Sequence, residues 1–178
     1  MSRAEASVWS AVSVRITPYF HVTSVDAASR IRREGFQLDD PTLTLRGFGR
    51  FWGVGVYATP DPDVAARYVS FRGADNYVLE LRVDVRRVLT VRLSRPIVSH
   101  AMELIFDQVP NGLARYLKIG RAIKSERPEA DIRAEALTRL LRETGYDCLE
   151  IVELGFTPTI GGLQVVVFDP RNVVIVDD

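Results

Sequence analysis

The chain has 178 residues, 47% of them hydrophobic and 26% charged, which suits a soluble globular protein with a sizeable core. Its 23 Lys and Arg residues balance its 23 Asp and Glu residues, which excludes a global field that would recruit nucleic acid or an anionic membrane. The single cysteine, Cys148, excludes an intrachain disulfide, and no apolar run approaches the ~20 residues of a membrane span. With no signal-peptide pattern, we expect a cytoplasmic protein, monomeric and without metal.

The N-terminal part predicts a strand followed by a helix. Residues 14–22 alternate loosely and predict a strand that is interrupted at Pro18. Ser24 is a suitable N-cap for the next helix, and Gly35 is a suitable stop. The strand therefore leads directly into a capped helix.

A long unpatterned segment separates this unit from the next one. Residues 37–53 show no clear period and predict a surface loop, which at this length is usually functional or disordered. Residues 54–58 predict a short strand. Asp61 then caps a second helix, with Pro62 at the first position, where a missing N–H costs nothing.

The middle of the chain changes from strand to helix patterns. Alternation over 77–83 and 85–93 predicts two strands or one bent strand. Helix patterns follow at 97–106 and 112–123, and Pro128 opens the most regular helix of the chain.

The C-terminal part predicts three more strands, at 146–153, 163–168 and 173–176. Without repeats or a linker, we expect one α+β domain over 1–178, with a helical middle segment at about 95–142.

Gly53-Val54-Gly55-Val56-Tyr57 is the first of three motifs, with a second tyrosine, Tyr68, on the following helix. It lacks the third glycine of a dinucleotide-binding fingerprint, and a short loop rather than a helix follows Tyr57. Taken alone, the pattern is also typical of a glycine bulge before a core tyrosine.

The other two motifs bracket the first one in the chain. His21-Val22-Thr23 ends an apolar run, and Gln164 heads the run Val165 to Phe168. Each has a plain structural alternative: a half-buried strand histidine, and an edge glutamine that bonds the backbone. We treat the second histidine, His100, as structural.

In this order the motifs resemble the ADP-ribosyltransferase superfamily in its His-Tyr-Glu branch, and are similar to those of poly-ADP-ribose polymerase catalytic domains and diphtheria toxin. The resemblance covers residues 18–70 and 146–177. It implies an α+β fold of split antiparallel β-sheets with flanking helices and a helical insertion. It also implies a glycosyltransferase that moves ADP-ribose, as mono-ADP-ribose, from NAD+ to a macromolecular acceptor, protein or nucleic acid, and releases nicotinamide. A bacterial toxin or effector is one setting for such an enzyme.

The resemblance also implies roles for individual residues. His21, supported by Thr23, would hydrogen-bond the adenosine-side ribose of NAD+. The backbone of Val22 would pair with the nicotinamide amide, while Tyr57 and Tyr68 would sandwich the nicotinamide ring, with stacking and cation–π energy. The further positions predicted to bind NAD+ are Gly55, Arg50 and Ala65, the last standing where some members carry a serine.

Gln164 stands where the family usually has a glutamate, so the catalytic set implied here is Gln164, His21 and Tyr57. Losing that charge commonly costs ~10²–10³ in rate. Three consequences remain open: a slow transferase that borrows a carboxylate from its acceptor, a substitute carboxylate, or binding of NAD+ without turnover. The substitute candidates are Glu153, Glu150 and Asp147.

Two other activities also stay open. Simple NAD+ hydrolysis would produce free ADP-ribose without an acceptor. An RNA-modifying transferase would need a local basic rim, which could come from Arg46, Arg50, Arg67 and Arg72.

Overall fold

The computed structural model describes residues 18–38, 52–72, 75–93, 98–123, 128–153 and 162–176. Within these ranges strands and helices are mixed along the chain, and a short 3₁₀ turn, Pro170–Asn172, precedes the last strand. The elements are β1 Tyr19–Ser24, α1 Val25–Glu34, β2 Val56–Ala58, α2 Pro62–Arg72, β3 Asn76–Val83, β4 Val88–Leu93, α3 Val98–Asp107, α4 Gly112–Ala122, α5 Glu129–Glu143, β5 Cys148–Glu153, β6 Leu163–Val167 and β7 Val173–Ile175.

The predicted helix ends are confirmed by their caps. The Ser24 hydroxyl accepts a hydrogen bond from the Ala27 N–H, and Gly35 ends α1 with a φ of 73°, a conformation that glycine adopts without a Cβ clash. At α2 the Asp61 carboxylate accepts from the N–H groups of Asp63 and Val64, at 2.9 and 3.3 Å. Local sequence therefore determines where both helices begin.

The strands form two sheets, which confirms the expected mixed α+β fold. One sheet has the order β1-β3-β7 and the other β2-β6-β5-β4. The two predicted strands at 77–83 and 85–93 are separate and lie in different sheets. Pairing is antiparallel except between β4 and β5, which run parallel. This pair departs from the expected antiparallel pattern because α3, α4 and α5 form a crossover between its strands.

Two hydrophobic clusters lie on the two faces of the larger sheet. The inter-sheet core fills the space between the sheets, and α1 packs into it. The helix-side core lies between the opposite face and the helical middle. The inter-sheet core includes Leu79, Leu81, Val56, Ala58, Val165 and Val167. The helix-side core includes Leu137, Leu140, Leu149, Ile151, Val166 and Phe168.

The helical middle is confirmed as three helices, and α5 buries its Ala134–Leu141 face in the structure. Most of the predicted loop at 37–53 lies outside the described residues, as do Arg46 and Arg50. No helix in the described ranges is long and apolar enough to cross a membrane.

Candidate functional site

The two sheets meet at a seam between β1 and β2. In the described residues one isolated antiparallel bridge joins them: the Phe20 N–H donates to the Thr59 carbonyl at 2.7 Å, and the Thr59 N–H donates to the Phe20 carbonyl at 3.0 Å. The next positions along the seam are Val22 on β1 and Tyr57 on β2, and no backbone bridge between them is seen in the described residues. The seam therefore brings the His21-Val22-Thr23 motif next to the motif that runs from Gly53 to Tyr57.

His21 lies at the seam and is half-buried on β1. Its Nδ1 is 2.6 Å from the carbonyl oxygen of Tyr57. A carbonyl only accepts, so Nδ1 carries the proton in this contact, and the neutral ring then has its lone pair at Nε2. The ring packs edge-on against Phe36, with centroids 5.1 Å apart, and His21 pairs with Leu79 of the inter-sheet core. His21 therefore lies on the inter-sheet side of the seam.

Val22 presents its peptide groups toward the side of the seam that β2 occupies. Phe20 exchanges both of its backbone hydrogen bonds with Thr59, and the backbone groups of alternate strand residues point to the same side. The N–H and C=O of Val22 therefore point toward the side of β2, two residues past the bridge. Thr23 follows at 8% exposure on the inter-sheet side, paired with Tyr77.

Tyr57 lies on the opposite face from His21. Its neighbours Val56 and Ala58 belong to the inter-sheet core, whereas the Tyr57 ring packs against the helix-side core. The hydroxyl donates to the Gly53 carbonyl at 2.8 Å and accepts from the Trp52 N–H at 3.1 Å. The ring is therefore held by the backbone of the glycine motif itself.

The two glycines are required by close contacts. Gly53 has a φ of 109°, and a Cβ there would lie 2.6 Å from the Thr138 hydroxyl. A Cβ on Gly55 would lie 2.5 Å from the Val167 carbonyl oxygen. Packing thus explains both positions, Gly55 against β6 and Gly53 against α5.

Gln164 is half-buried on β6, on the same face as Tyr57. Tyr57 pairs directly with Val166, two residues along β6 from Gln164. Diagonal neighbours of this kind on adjacent strands are about 7–8 Å apart, within reach of aromatic and long side chains. Through the Phe20–Thr59 bridge this face continues onto the Val22 side of β1. Tyr57, Gln164 and the peptide edge of Val22 therefore share one surface across the seam.

Helix α2 borders this surface. Gly162, two residues before Gln164, approaches α2 so closely that a Cβ would lie 2.5 Å from Cγ2 of Val64. Ala65 is 2% exposed, and α2 also packs against β1 and β3. Tyr68 lies on this helix, but its side chain is outside the described part of the chain.

The structure gives separate environments to two of the three candidate substitute carboxylates, Asp147 and Glu150. The Asp147 carboxylate accepts from the N–H groups of Arg86 and Arg87, at 3.0 and 2.9 Å, and so holds the turn before β4. Glu150 is 4% exposed and accepts from the Thr90 hydroxyl at 2.7 Å. It pairs with Val165 and so lies on the inter-sheet face, opposite Gln164.

Glu153 is the last residue of β5, and its side chain is outside the described residues. The parts of the chain that the structure describes contain no group of three or more His, Cys, Asp or Glu that could hold a metal ion.

One contributor to the site was missed in the sequence: Thr138 on α5. Its hydroxyl accepts from the Val54 N–H at 2.7 Å and donates to the Val54 carbonyl at 3.2 Å. The available signal was a polar residue at helical spacing from Ala134 and Leu141 on a buried face.

Comparisons with known proteins give a distant structural likeness. No protein-family model matches the chain, and no curated protein matches it significantly. Among solved structures, the chain is similar to a chain in the crystal structure of the MbcT–MbcA toxin–antitoxin complex of M. tuberculosis. The alignment has a TM-score of 0.38 and 14% identity, and covers 90% of this chain and 81% of that chain.

Proposed function

We propose that the chain binds NAD+ at the seam and transfers its ADP-ribose to an acceptor, releasing nicotinamide. The observation that carries this proposal is the single surface formed by the Val22 peptide edge, Tyr57 and Gln164 next to α2. The motif resemblance points to the same residues.

The Val22 edge suits a carboxamide. Nicotinamide carries an amide with two donor hydrogens and one acceptor oxygen, so it pairs with an adjacent N–H and C=O as a neighbouring strand would. Tyr57 supplies an aromatic face beside that edge, and stacking on an electron-poor ring contributes about 0.5–2 kcal/mol. In this proposal Tyr68, carried on α2, is the second aromatic wall, and His21 and Thr23 hold the adenosine-side ribose.

In this proposal Gln164 gives polar support to the reacting ribose. The bond between the nicotinamide nitrogen and the ribose breaks, its electron pair leaves with neutral nicotinamide, and the acceptor oxygen bonds the ribose carbon and loses its proton. The transition state is oxocarbenium-like. The Gln164 amide oxygen can accept from a ribose hydroxyl, but it supplies no negative charge, so we propose a slow, single-transfer enzyme.

The second candidate function is an NAD+-binding module without turnover. The observation that favours it is that Gln164 is neutral while two of the three candidate carboxylates are engaged elsewhere, since Asp147 holds a turn and Glu150 lies on the opposite face. It shares every binding contact of the first proposal and differs only in chemistry.

The test measures NAD+ binding by calorimetry and nicotinamide release by chromatography, for the wild type and Tyr57→Ala. Tyr116→Ala is the matched control, because Tyr116 is a half-buried tyrosine on α4 that packs against Phe106. The proposal expects binding and release in the wild type and the control, and a loss of about tenfold or more in affinity for Tyr57→Ala. If the wild type binds NAD+ but releases no nicotinamide, the protein is the binding module. If it binds no NAD+, both functions are rejected.

Labelled NAD+ separates the enzymatic variants. Label on a protein acceptor supports the transferase, label on RNA supports the nucleic-acid variant, and free ADP-ribose without an acceptor identifies a glycohydrolase.

A further inference from the structure

Thr138 is a polar residue on the buried face of α5. Ala134, Leu137 and Leu141 lie on the same face, and Thr138 is 8% exposed. A threonine hydroxyl within a helix commonly bonds a carbonyl one turn back in its own helix. The Thr138 hydroxyl bonds Val54 instead, 84 positions away in the chain. It therefore joins the helical middle to the glycine motif.

The contact with Val54 uses both of its backbone groups. The hydroxyl oxygen accepts from the Val54 N–H at 2.7 Å, and the hydroxyl donates to the Val54 carbonyl at 3.2 Å. Val54 precedes β2, where the sheet ladder has not begun, so the side chain supplies the bonds that a strand would. Gly53 makes the approach possible, since a Cβ there would lie 2.6 Å from the same hydroxyl.

The segment held by Thr138 is also the one that holds the Tyr57 ring. The Tyr57 hydroxyl bonds the Gly53 carbonyl and the Trp52 N–H, at 2.8 and 3.1 Å. Displacement of Val54 from α5 would therefore displace the Gly53 carbonyl and the Trp52 N–H that bond the tyrosine hydroxyl. The Gly53 carbonyl and the Val54 N–H belong to one peptide unit, so the connection runs from α5 through that unit to the Tyr57 hydroxyl.

We infer that Thr138 is the positioning residue for Tyr57, and that through it the helical middle sets the position of the nicotinamide-binding wall. The inference rests on the proposed function for its effect on NAD+, and on the hydrogen bonds alone for its effect on Tyr57. It assigns α5 a function in the site beyond packing.

Two substitutions of Thr138 separate the effect of its hydroxyl from the effect of its shape. Thr138→Val removes it and keeps the branched shape, whereas Thr138→Ser keeps it. Thr144→Val is the matched control, because the Thr144 hydroxyl bonds the Leu140 and Leu141 carbonyls at the end of α5. If Thr138→Val does not fold, Thr138→Ala replaces it, since alanine and serine differ only by the hydroxyl.

Two measurements test the inference: amide exchange at Val54 by NMR, and the affinity for NAD+ by calorimetry. Because one buried hydrogen bond typically corresponds to about 3–10-fold, we expect Thr138→Val to accelerate exchange and weaken NAD+ binding by about tenfold. Thr138→Ser should restore both to within about threefold, and Thr144→Val should change neither. A folded Thr138→Val protein with unchanged exchange and unchanged affinity would overturn the inference.

A double-mutant cycle separates this inference from the proposed function. Thr138→Val and Tyr57→Phe are combined, and the free energy of unfolding is measured without NAD+. If the two changes in the free energy of unfolding are not additive, Thr138 and Tyr57 are coupled, which supports the inference. This holds even if the wild type binds no NAD+, because the absence of binding would reject only the proposed function. Additive effects without NAD+ binding would overturn the inference as well.

Discussion

The imidazole of His21 donates from Nδ1 to the carbonyl oxygen of Tyr57 at 2.6 Å, across the seam between the two sheets. One side chain thus continues the hydrogen bonding between β1 and β2, two residues from the backbone bridge at Thr59. The contact joins two motifs that are 36 positions apart in the chain.

Replacing His21 tests how much this contact holds the seam. His21→Ala removes the hydrogen bond to the Tyr57 carbonyl and the packing against Phe36, so we expect a loss of about 1–3 kcal/mol in the free energy of unfolding. Urea denaturation measures it, with the exposed Ser29→Ala as control. A change below about 0.5 kcal/mol, the usual size for surface substitutions, would show that the seam does not depend on His21.

Gln164→Glu tests whether the missing charge limits catalysis. A carboxylate at this position would stabilise the positive charge that develops on the ribose, so nicotinamide release should rise by about 10²–10³. Affinity for NAD+ should change little. Gln164→Ala serves as the comparison and should abolish release; a Gln164→Glu protein no faster than the wild type would contradict the assignment.

Glu150→Gln tests the substitute-carboxylate alternative. The amide keeps an acceptor for the Thr90 hydroxyl and removes only the charge, on the face opposite Gln164. We therefore expect nicotinamide release to stay within about threefold of the wild type, less than the ~10²-fold loss of a placed charge. A loss of that size in a folded protein would identify Glu150 as the catalytic carboxylate.

Two glycine substitutions should change the free energy of unfolding in opposite directions. Gly55→Ala places a Cβ 2.5 Å from the Val167 carbonyl oxygen and should destabilise the protein by about 1–3 kcal/mol. Gly120→Ala, inside α4, meets the Ala136 Cβ at 3.9 Å, an ordinary contact, and should stabilise it by about 0.5–1 kcal/mol through helix propensity. Chemical denaturation of both variants measures this, and a stable Gly55→Ala protein would contradict the close packing of β2 on β6.

Asp169 follows Phe168, just after β6. Its hydrogen bond with Arg171 predicts that the stability of the protein depends slightly on pH in acid. The hydrogen-bonded guanidinium of Arg171 lowers the Asp169 pKa from 3.8 to about 2. Because the folded-state pKa is lower, the stabilisation is present above about pH 4 and is lost as the pH falls through about 2. The partly exposed site limits it to below about 1 kcal/mol. Asp169→Asn should remove this part of the acid sensitivity in thermal unfolding between pH 2 and 5, and an unchanged profile would contradict the assignment.

Much of the fold was predictable because its signals are local. The Ser24 and Asp61 caps, the Gly35 stop and the alternation of the C-terminal strands depend on residues within a few positions, and the structure confirms them. The order of the motifs singles out His21, Tyr57 and Gln164 from the sequence, and their roles toward NAD+ stay a prediction.

Features that depend on contacts between distant segments follow only from the tertiary structure. Local sequence patterns are enough to predict the helices and strands and the polar residues at their ends. They could not determine that the strands divide into two sheets, that Glu150 and Gln164 lie on opposite faces, or that Thr138 bonds Val54, because each depends on strand register or on a contact between distant segments. The glycines of the Gly-x-Gly-x-Tyr motif show the same division: their identity is local, but the carbonyl and hydroxyl groups that require them come from β6 and α5.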